Sequence, residues 1–147
     1  MKFLLRAAIC ATLCLFMATT SRGASDDEIS LYDSSGKPVA YIAEDLTIFL
    51  WSGKPVAYLD KANSGWNVYG FNGKHLGWFK DGIIRNHDGD GACGVRGVVN
   101  SPQYEPYKAY KEYEPYKAYK EYAPYEPSAT RNWSNEPCSL FLRGGTK

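Results

Sequence analysis

The feature that most constrains the fold is a short repeat that occurs four times between residues 29 and 95. Each copy has an apolar or aromatic run, a turn built around glycine, and a second short run. The copies are ISLYDSSGKPVAYI (29–42), TIFLWSGKPVAYL (47–59), WNVYGFNGKHLGWF (66–79) and GIIRNHDGDGACGV (82–95). Two such runs joined by a glycine turn are typical of a β-hairpin. The sequence therefore predicts an all-β domain of four repeated β-hairpins over residues 29–99.

The turns of the four hairpins can be aligned on one glycine each. These glycines are Gly36, Gly53, Gly73 and Gly89. Asn72-Gly73 is a preferred pair for a two-residue type I′ turn, and Ser52-Gly53 fits the same length. Residues 34–36 are one residue longer and predict a three-residue turn with glycine in the left-handed region.

The returning runs share a pattern of residue sizes. Four residues past each of the first three glycines lies a small residue, and five past lies an aromatic one: Ala40, Ala57 and Gly77, then Tyr41, Tyr58 and Trp78. Because side chains alternate across a strand, small and aromatic residues must lie on opposite faces. The small residues predict a crowded place where the hairpins meet. The fourth copy departs from the pattern, with Cys93 and Gly94 in these two positions.

Residues 100–130 are a low-complexity tail rich in Tyr, Pro, Lys and Glu. Its tyrosines are three residues apart, and its prolines recur every nine: Tyr104, Tyr107, Tyr110, Tyr113, Tyr116, Tyr119, Tyr122 and Tyr125, with Pro106, Pro115 and Pro124. A polyproline II helix has three residues per turn and would align all the tyrosines in one stripe. Lys and Glu would then mostly occupy a second edge, and Pro, Ala and Glu the third. The alternatives are a disordered linker or short helical turns between the prolines.

Residues 1–23 have the pattern of a secretory signal peptide, with Lys2 and Arg6 before an apolar run at 7–18 that is too short to span a membrane. Residues 24–28 follow as a short linker. Removal of the signal leaves 14 basic residues against 16 acidic ones, from 17 and 16 in the whole chain. This balance argues against nucleic acid as a partner. No later stretch is apolar enough to span a membrane, so we expect an exported protein that is periplasmic, at the cell surface or extracellular.

Two cysteines, Cys93 and Cys138, remain after removal of the signal. An oxidising compartment allows them to form a disulfide that ties the C-terminal segment (131–147) to the β-domain. Two free thiols are the alternative, since sequence spacing does not decide geometry. Within the C-terminal segment, residues 139–142 predict a short strand that docks on the β-domain or on a partner.

The sequence contains no recognisable catalytic set. Residues 86–91 (NHDGDG) match the opening of a calcium loop, but the twelfth position, which needs a bidentate acid, is Gly97. His75 and His87 are the only histidines, and no cysteine cluster accompanies them. We therefore expect a non-enzymatic protein with no metal and no cofactor.

The run from Leu31 to Val95 resembles the bacterial four-fold beta flower domain. The resemblance rests on GKPVAYIAEDLTIFLW, VYGFNGKHLGWF and DGIIRNHDG, and on a Tyr/Pro/Lys-rich tail that precedes a WSN…SLFL segment. It implies four hairpins with pseudo-four-fold symmetry and supplies no activity and no catalytic residues. The 66–78 pattern is also similar, less closely, to hairpin repeats of choline- and glucan-binding cell-wall proteins.

Two functions are compatible with these observations. In the first, the hairpin domain is a binding or interaction module of the cell envelope, for a protein or a glycan, with Trp51, Trp66 and Trp78 as candidate stacking residues. Alternatively, these rings form the core of a small domain. In the second, the protein is structural or adhesive and makes its contacts through the tyrosine-rich tail.

Overall fold

A computed structural model describes residues 27–146. The predicted signal peptide, its cleavage point and residues 24–26 of the linker lie outside the described residues. The elements are β1 (Ile29–Tyr32), β2 (Pro38–Ile42), β3 (Thr47–Leu50), β4 (Pro55–Lys61), β5 (Trp66–Gly70), β6 (His75–Lys80), β7 (Ile83–Arg85), β8 (Gly91–Gly94) and α1 (Cys138–Arg143). Within the described part of the chain, no helix is long and apolar enough to span a membrane.

The eight strands form one closed antiparallel barrel in chain order. Each predicted repeat is one hairpin, including the divergent fourth copy, in which β7 pairs with β8. The barrel closes where Tyr32 of β1 pairs with Gly94 of β8. The prediction of an all-β fold of four repeated hairpins is therefore confirmed.

The four hairpin turns share one conformation. In the second hairpin the Gly53 amide donates to the Leu50 carbonyl at 2.8 Å, and the Leu50 amide donates to the Lys54 carbonyl at 2.8 Å. The loop therefore has three residues and ends on a glycine with positive φ, 87° for Gly53. The two-residue turn predicted at Asn72-Gly73 and Ser52-Gly53 is wrong, because only the glycine of each pair adopts positive φ. The three-residue turn predicted for residues 34–36 recurs in all four hairpins.

The barrel interior is filled by aliphatic residues and by the small residues of the repeat. Ala40, Ala57 and Cys93 lie in one buried cluster with Leu31 and Ile48. The equivalent Gly77 has no room for a side chain, since a Cβ there would lie 1.9 Å from the Arg85 carbonyl oxygen. The small residues therefore mark the crowded interior, and the aromatic residues next to them lie on the outer face.

The C-terminal segment packs a helix, not the predicted strand, against the barrel. Pro137 precedes α1, and Cys138, Phe141 and Leu142 are buried, which is the spacing of one helical face. A strand would instead have buried alternate residues, yet Leu140 is 55% exposed. The Cys138 sulfur is bonded to Cys93 of β8, so the disulfide fixes α1 to the barrel.

Candidate functional site

Residues 101–130, here called the belt, run along the outside of the four hairpin turns. Once per turn, a belt amide donates to the carbonyl of the turn glycine. The pairs are Gln103 with Gly36 (2.8 Å), Glu112 with Gly53 (2.9 Å), Glu121 with Gly73 (3.0 Å) and Thr130 with Gly89 (3.1 Å). The donors are nine residues apart, so one belt repeat spans one hairpin. Nine residues of polyproline II helix cover roughly 28 Å.

The turn glycines serve the belt as well as the turn. Glycine is needed at these positions for two reasons: the turn requires positive φ, and the belt backbone approaches too closely for a side chain. A Cβ on Gly53 would lie 1.9 Å from the Tyr110 carbonyl oxygen, and one on Gly73 would lie 2.1 Å from that of Tyr119. The repeated glycine thus allows the belt to lie directly on each turn.

The belt presents three edges with a period of three residues, as a polyproline II helix does. One edge carries the backbone donors together with Pro106, Pro115 and Pro124, which have no N–H and lie between the turns. A second edge carries lysine and glutamate side chains that reach the barrel. The third edge carries the tyrosines.

The first seam, between the first two hairpins, is a cluster of Tyr41, Phe49 and Trp51 on the outer face. The Lys108 ammonium lies 4.4 Å from the Tyr41 ring centre and 5.2 Å from that of Trp51. The Trp51 indole N–H donates to the Pro106 carbonyl at 3.1 Å. The belt is therefore held here by cation–π contacts and a hydrogen bond.

Glu28 adds charge pairing at the first seam. Its carboxylate lies 2.6 Å from the ammonium groups of both Lys108 and Lys111. Burial alone would raise the pKa of Glu28, but the hydrogen bonds from the two lysines outweigh it and lower the pKa. Burial, with the nearby Glu28 charge, raises the pKa of Tyr41 to about 12.

The second seam repeats the aromatic cluster and the lysine contact, with Lys117 nine belt residues after Lys108. Tyr58, Tyr69 and Phe71 form the aromatic cluster. The Lys117 ammonium lies 4.3 Å from the Tyr58 ring centre, and the Tyr69 hydroxyl donates to the Glu121 carbonyl at 2.9 Å. The cation–π contact therefore recurs with the nine-residue period of the belt, whereas the hydrogen bond uses a different barrel position and a different belt carbonyl.

The third seam differs from the first two in where its charged residues lie. On the barrel, Arg85 stands opposite Trp78, where the other seams carry Phe49 and Tyr69. On the belt, Glu126 follows Lys117 by nine residues. Arg85 and Glu126 line the same cleft, and the guanidinium donates to the Gly89 and Thr130 carbonyls at 2.8 Å. The cation at this seam is on the barrel, and its hydrogen bonds hold the fourth turn and the end of the belt together.

A buried histidine also lies at the third seam. The His75 Nε2 is 3.1 Å from the Asn67 amide oxygen, which can only accept, so Nε2 carries the proton. The His75 Nδ1 then accepts from His87 Nε2 at 3.0 Å. Burial, with the neighbouring His87, lowers the pKa of His75 to about 4. The third seam therefore holds a neutral imidazole.

The fourth seam is where the belt begins and ends. Gly94 replaces the aromatic residue here, and the Trp133 ring fills the space, 3.1 Å from where a Cβ of Gly94 would lie. Tyr32 donates its hydroxyl to the Glu105 carboxylate of the belt. Burial and this hydrogen bond raise the pKa of Tyr32 to about 12.

The tyrosine edge faces away from the barrel along its whole length. All eight belt tyrosines are between 90 and 102% exposed. The lysine and glutamate side chains of the neighbouring edge mostly turn toward the barrel, as Lys108, Lys117 and Glu114 do. The most extended exposed aromatic surface among the described residues is therefore an evenly spaced row of tyrosines on a backbone that the barrel holds in place.

The tryptophans named as candidate stacking residues lie elsewhere. Trp78 is buried, Trp51 is half-buried beneath the belt, and Trp66 is half-buried against the core. The structure does not bring the three together in one open site. The row of tyrosines was visible in the sequence as a three-residue period, but nothing in the sequence showed that the barrel would hold it.

The half-present calcium motif is the fourth hairpin turn. The Asn86 side-chain oxygen accepts the amides of Asp88 and Asp90 at 3.0 Å, so it is used within the turn. Between residues 27 and 146, no three His, Cys, Asp or Glu side chains are grouped to hold a metal ion.

The chain matches the family described as "4-fold beta flower protein" over residues 29–142, which is most of its length. It therefore belongs to this family, and the predicted resemblance is confirmed. The match includes the belt and most of α1 as well as the barrel. No curated protein and no solved structure matches the chain.

Proposed function

We propose that this member of the 4-fold beta flower family is an exported, non-enzymatic interaction module of the bacterial cell envelope, and that the tyrosine edge of the belt is its contact surface. The observation that carries the proposal is the full exposure of eight evenly spaced tyrosines on a backbone fixed at every hairpin turn. Exposed aromatic surface of this extent is typical of interaction sites. The partner class is a protein or a glycan of the envelope.

The barrel then acts as a scaffold. A free chain of this composition would lose conformational entropy on binding, whereas the belt is ordered before it meets a partner. Tyrosine offers a flat apolar ring and a hydroxyl with few rotatable bonds, which suits contact with many surfaces. Export is supported by the pattern of residues 1–23 and by the Cys93–Cys138 disulfide, a bond typical of oxidising compartments.

Retention of the purified mature protein on an isolated envelope fraction tests this proposal. The informative variant replaces Tyr107, Tyr116 and Tyr125 by serine, one in each belt repeat. These side chains are fully exposed, so the variant should fold as the parent does. Leu140→Ser is the matched control, because it removes an exposed apolar side chain from α1 instead of the belt.

We expect the parent and Leu140→Ser to be retained, and the triple serine variant to bind at least tenfold more weakly. Equal retention of the parent and the triple variant would place the contact surface elsewhere. A parent that is not retained on any envelope fraction would refute the envelope interaction itself.

A further inference from the structure

The spacing of the belt tyrosines restricts which partner can use all of them. Consecutive tyrosines are three residues apart and share one edge. In a polyproline II helix this separation is roughly 9.3 Å. A partner whose binding groups repeat at a different distance would lose register with the tyrosines along the row, so it could contact only a few rings at a time.

We infer that the partner of the tyrosine edge is the tyrosine edge of a second copy of this chain. This inference rests on the proposed function, and it names the partner. The belt of a second copy has the same tyrosine spacing because its sequence is identical. Its tyrosines fit into the gaps of the first row, which places neighbouring ring centres about 4.7 Å apart, within the ~4.5–7 Å that aromatic pairs prefer.

The charges of the belt permit this approach. Two identical surfaces repel each other when both expose the same charge. Here the ammonium groups of Lys108, Lys111, Lys117 and Lys120 lie 4.3 to 5.6 Å from barrel ring centres. The Glu105 and Glu114 carboxylates accept hydrogen bonds from the barrel. These contacts draw the six charged groups toward the barrel and away from the tyrosine edge, with Lys111 and Lys120 still 45 and 44% exposed.

The available area is sufficient for reversible association. One nine-residue repeat presents three tyrosines, and buried aromatic side chains contribute about 150–250 Å² each. One repeat therefore buries at most about 450–750 Å² per copy, which is below the ~800 Å² per partner of a standard interface. A contact of this size is weak when alone. Because the belt passes all four turns, one copy can engage more than one neighbour, so larger assemblies should form as concentration rises.

Sedimentation velocity of the mature protein over a wide range of concentration tests the inference. The same three positions, Tyr107, Tyr116 and Tyr125, are replaced by serine in one variant and by phenylalanine in a second. Phenylalanine keeps the ring and serine removes it. We expect concentration-dependent association of the parent and the phenylalanine variant, and an association at least tenfold weaker for the serine variant.

A parent that remains monomeric at every concentration overturns the inference, as does a serine variant that associates like the parent. Retention on the envelope fraction, measured at a concentration where the parent is monomeric, separates the two proposals. If the monomer is retained through its tyrosines but does not self-associate, the proposed function stands, and the partner is an envelope component instead of a second copy.

Discussion

Replacement of Gly53 by alanine should release the belt at the second hairpin turn. Two costs add. Gly53 has φ of 87°, where alanine costs about 1–2 kcal/mol, and its Cβ would lie 1.9 Å from the Tyr110 carbonyl oxygen. If the belt moves away, it loses the hydrogen bonds from Ala109 to Trp51 (3.2 Å) and from Glu112 to Gly53 (2.9 Å), each worth about 0.5–1.5 kcal/mol. We expect the free energy of unfolding to fall by about 2–5 kcal/mol.

Guanidinium unfolding followed by tryptophan fluorescence measures the total, and trypsin cleavage after Lys108 and Lys111 reports release of the belt. Gly82→Ala is the control for strain, since Gly82 has φ of 78° but faces the Val95 side chain instead of the belt. Gly97→Ala, with open space around it, should change stability by less than ~0.5 kcal/mol. If Gly53→Ala loses no more stability than Gly82→Ala and its belt is cleaved no faster than that of the parent, the belt is not held at this turn.

Three further outcomes follow from single contacts. The Tyr41 hydroxyl is buried and has no hydrogen-bond partner among residues 27–146, so Tyr41→Phe should leave the free energy of unfolding unchanged or raise it by about 1 kcal/mol. Tyr69→Phe loses a hydrogen bond to the belt and should lower the free energy of unfolding by about 1 kcal/mol. Equal losses for the two variants in urea titrations would contradict this expectation. The His75 side chain takes up a proton near pH 6.5 in the unfolded state but only near pH 4 in the folded state, so the unfolded state binds more protons between these values. The free energy of unfolding should therefore fall on acidification from pH 6.5 to 4, by at most about 1.4 kcal/mol per pH unit. His75→Gln should remove this contribution to the pH dependence. Reduction of the Cys93–Cys138 bond, which spans 45 residues, should lower the free energy of unfolding by about 4 kcal/mol. The shift of the unfolding midpoint on addition of a thiol reductant measures this loss, and an unchanged midpoint after verified reduction would contradict the expectation.

The sequence predicted the hairpins because their physics is local. Alternation puts Ala57 and Tyr58 on opposite faces, and the structure places one inside the barrel and the other outside. Turn type was predicted less well. A two-residue turn at Asn72-Gly73 competes with a three-residue turn that also uses this glycine, and the structure adopts the latter.

The belt register could not be predicted without the fold. The nine-residue period is plain in the sequence, but its meaning depends on the distance between neighbouring turns, which only the barrel defines. The third seam shows the same limit. Arg85 and Glu126 are distant in the sequence, and only the structure shows that they line the same cleft. Similarly, residues 138–142 alternate poorly enough to permit a strand or a helix, and packing against the barrel selects the helix.

The disulfide gives the belt a mechanical property that the hydrogen bonds alone would not. Cys93 lies in β8, before the belt, and Cys138 lies after it, so the bond closes the intervening chain into a covalent loop that passes all four turns. The closed loop is thus held to the barrel at all four turns at once. A load applied to any one tyrosine is shared among four hairpins, and the belt has no free end from which it can be peeled. Detachment of the belt therefore requires the contacts at several turns to break together for as long as the Cys93–Cys138 bond is intact.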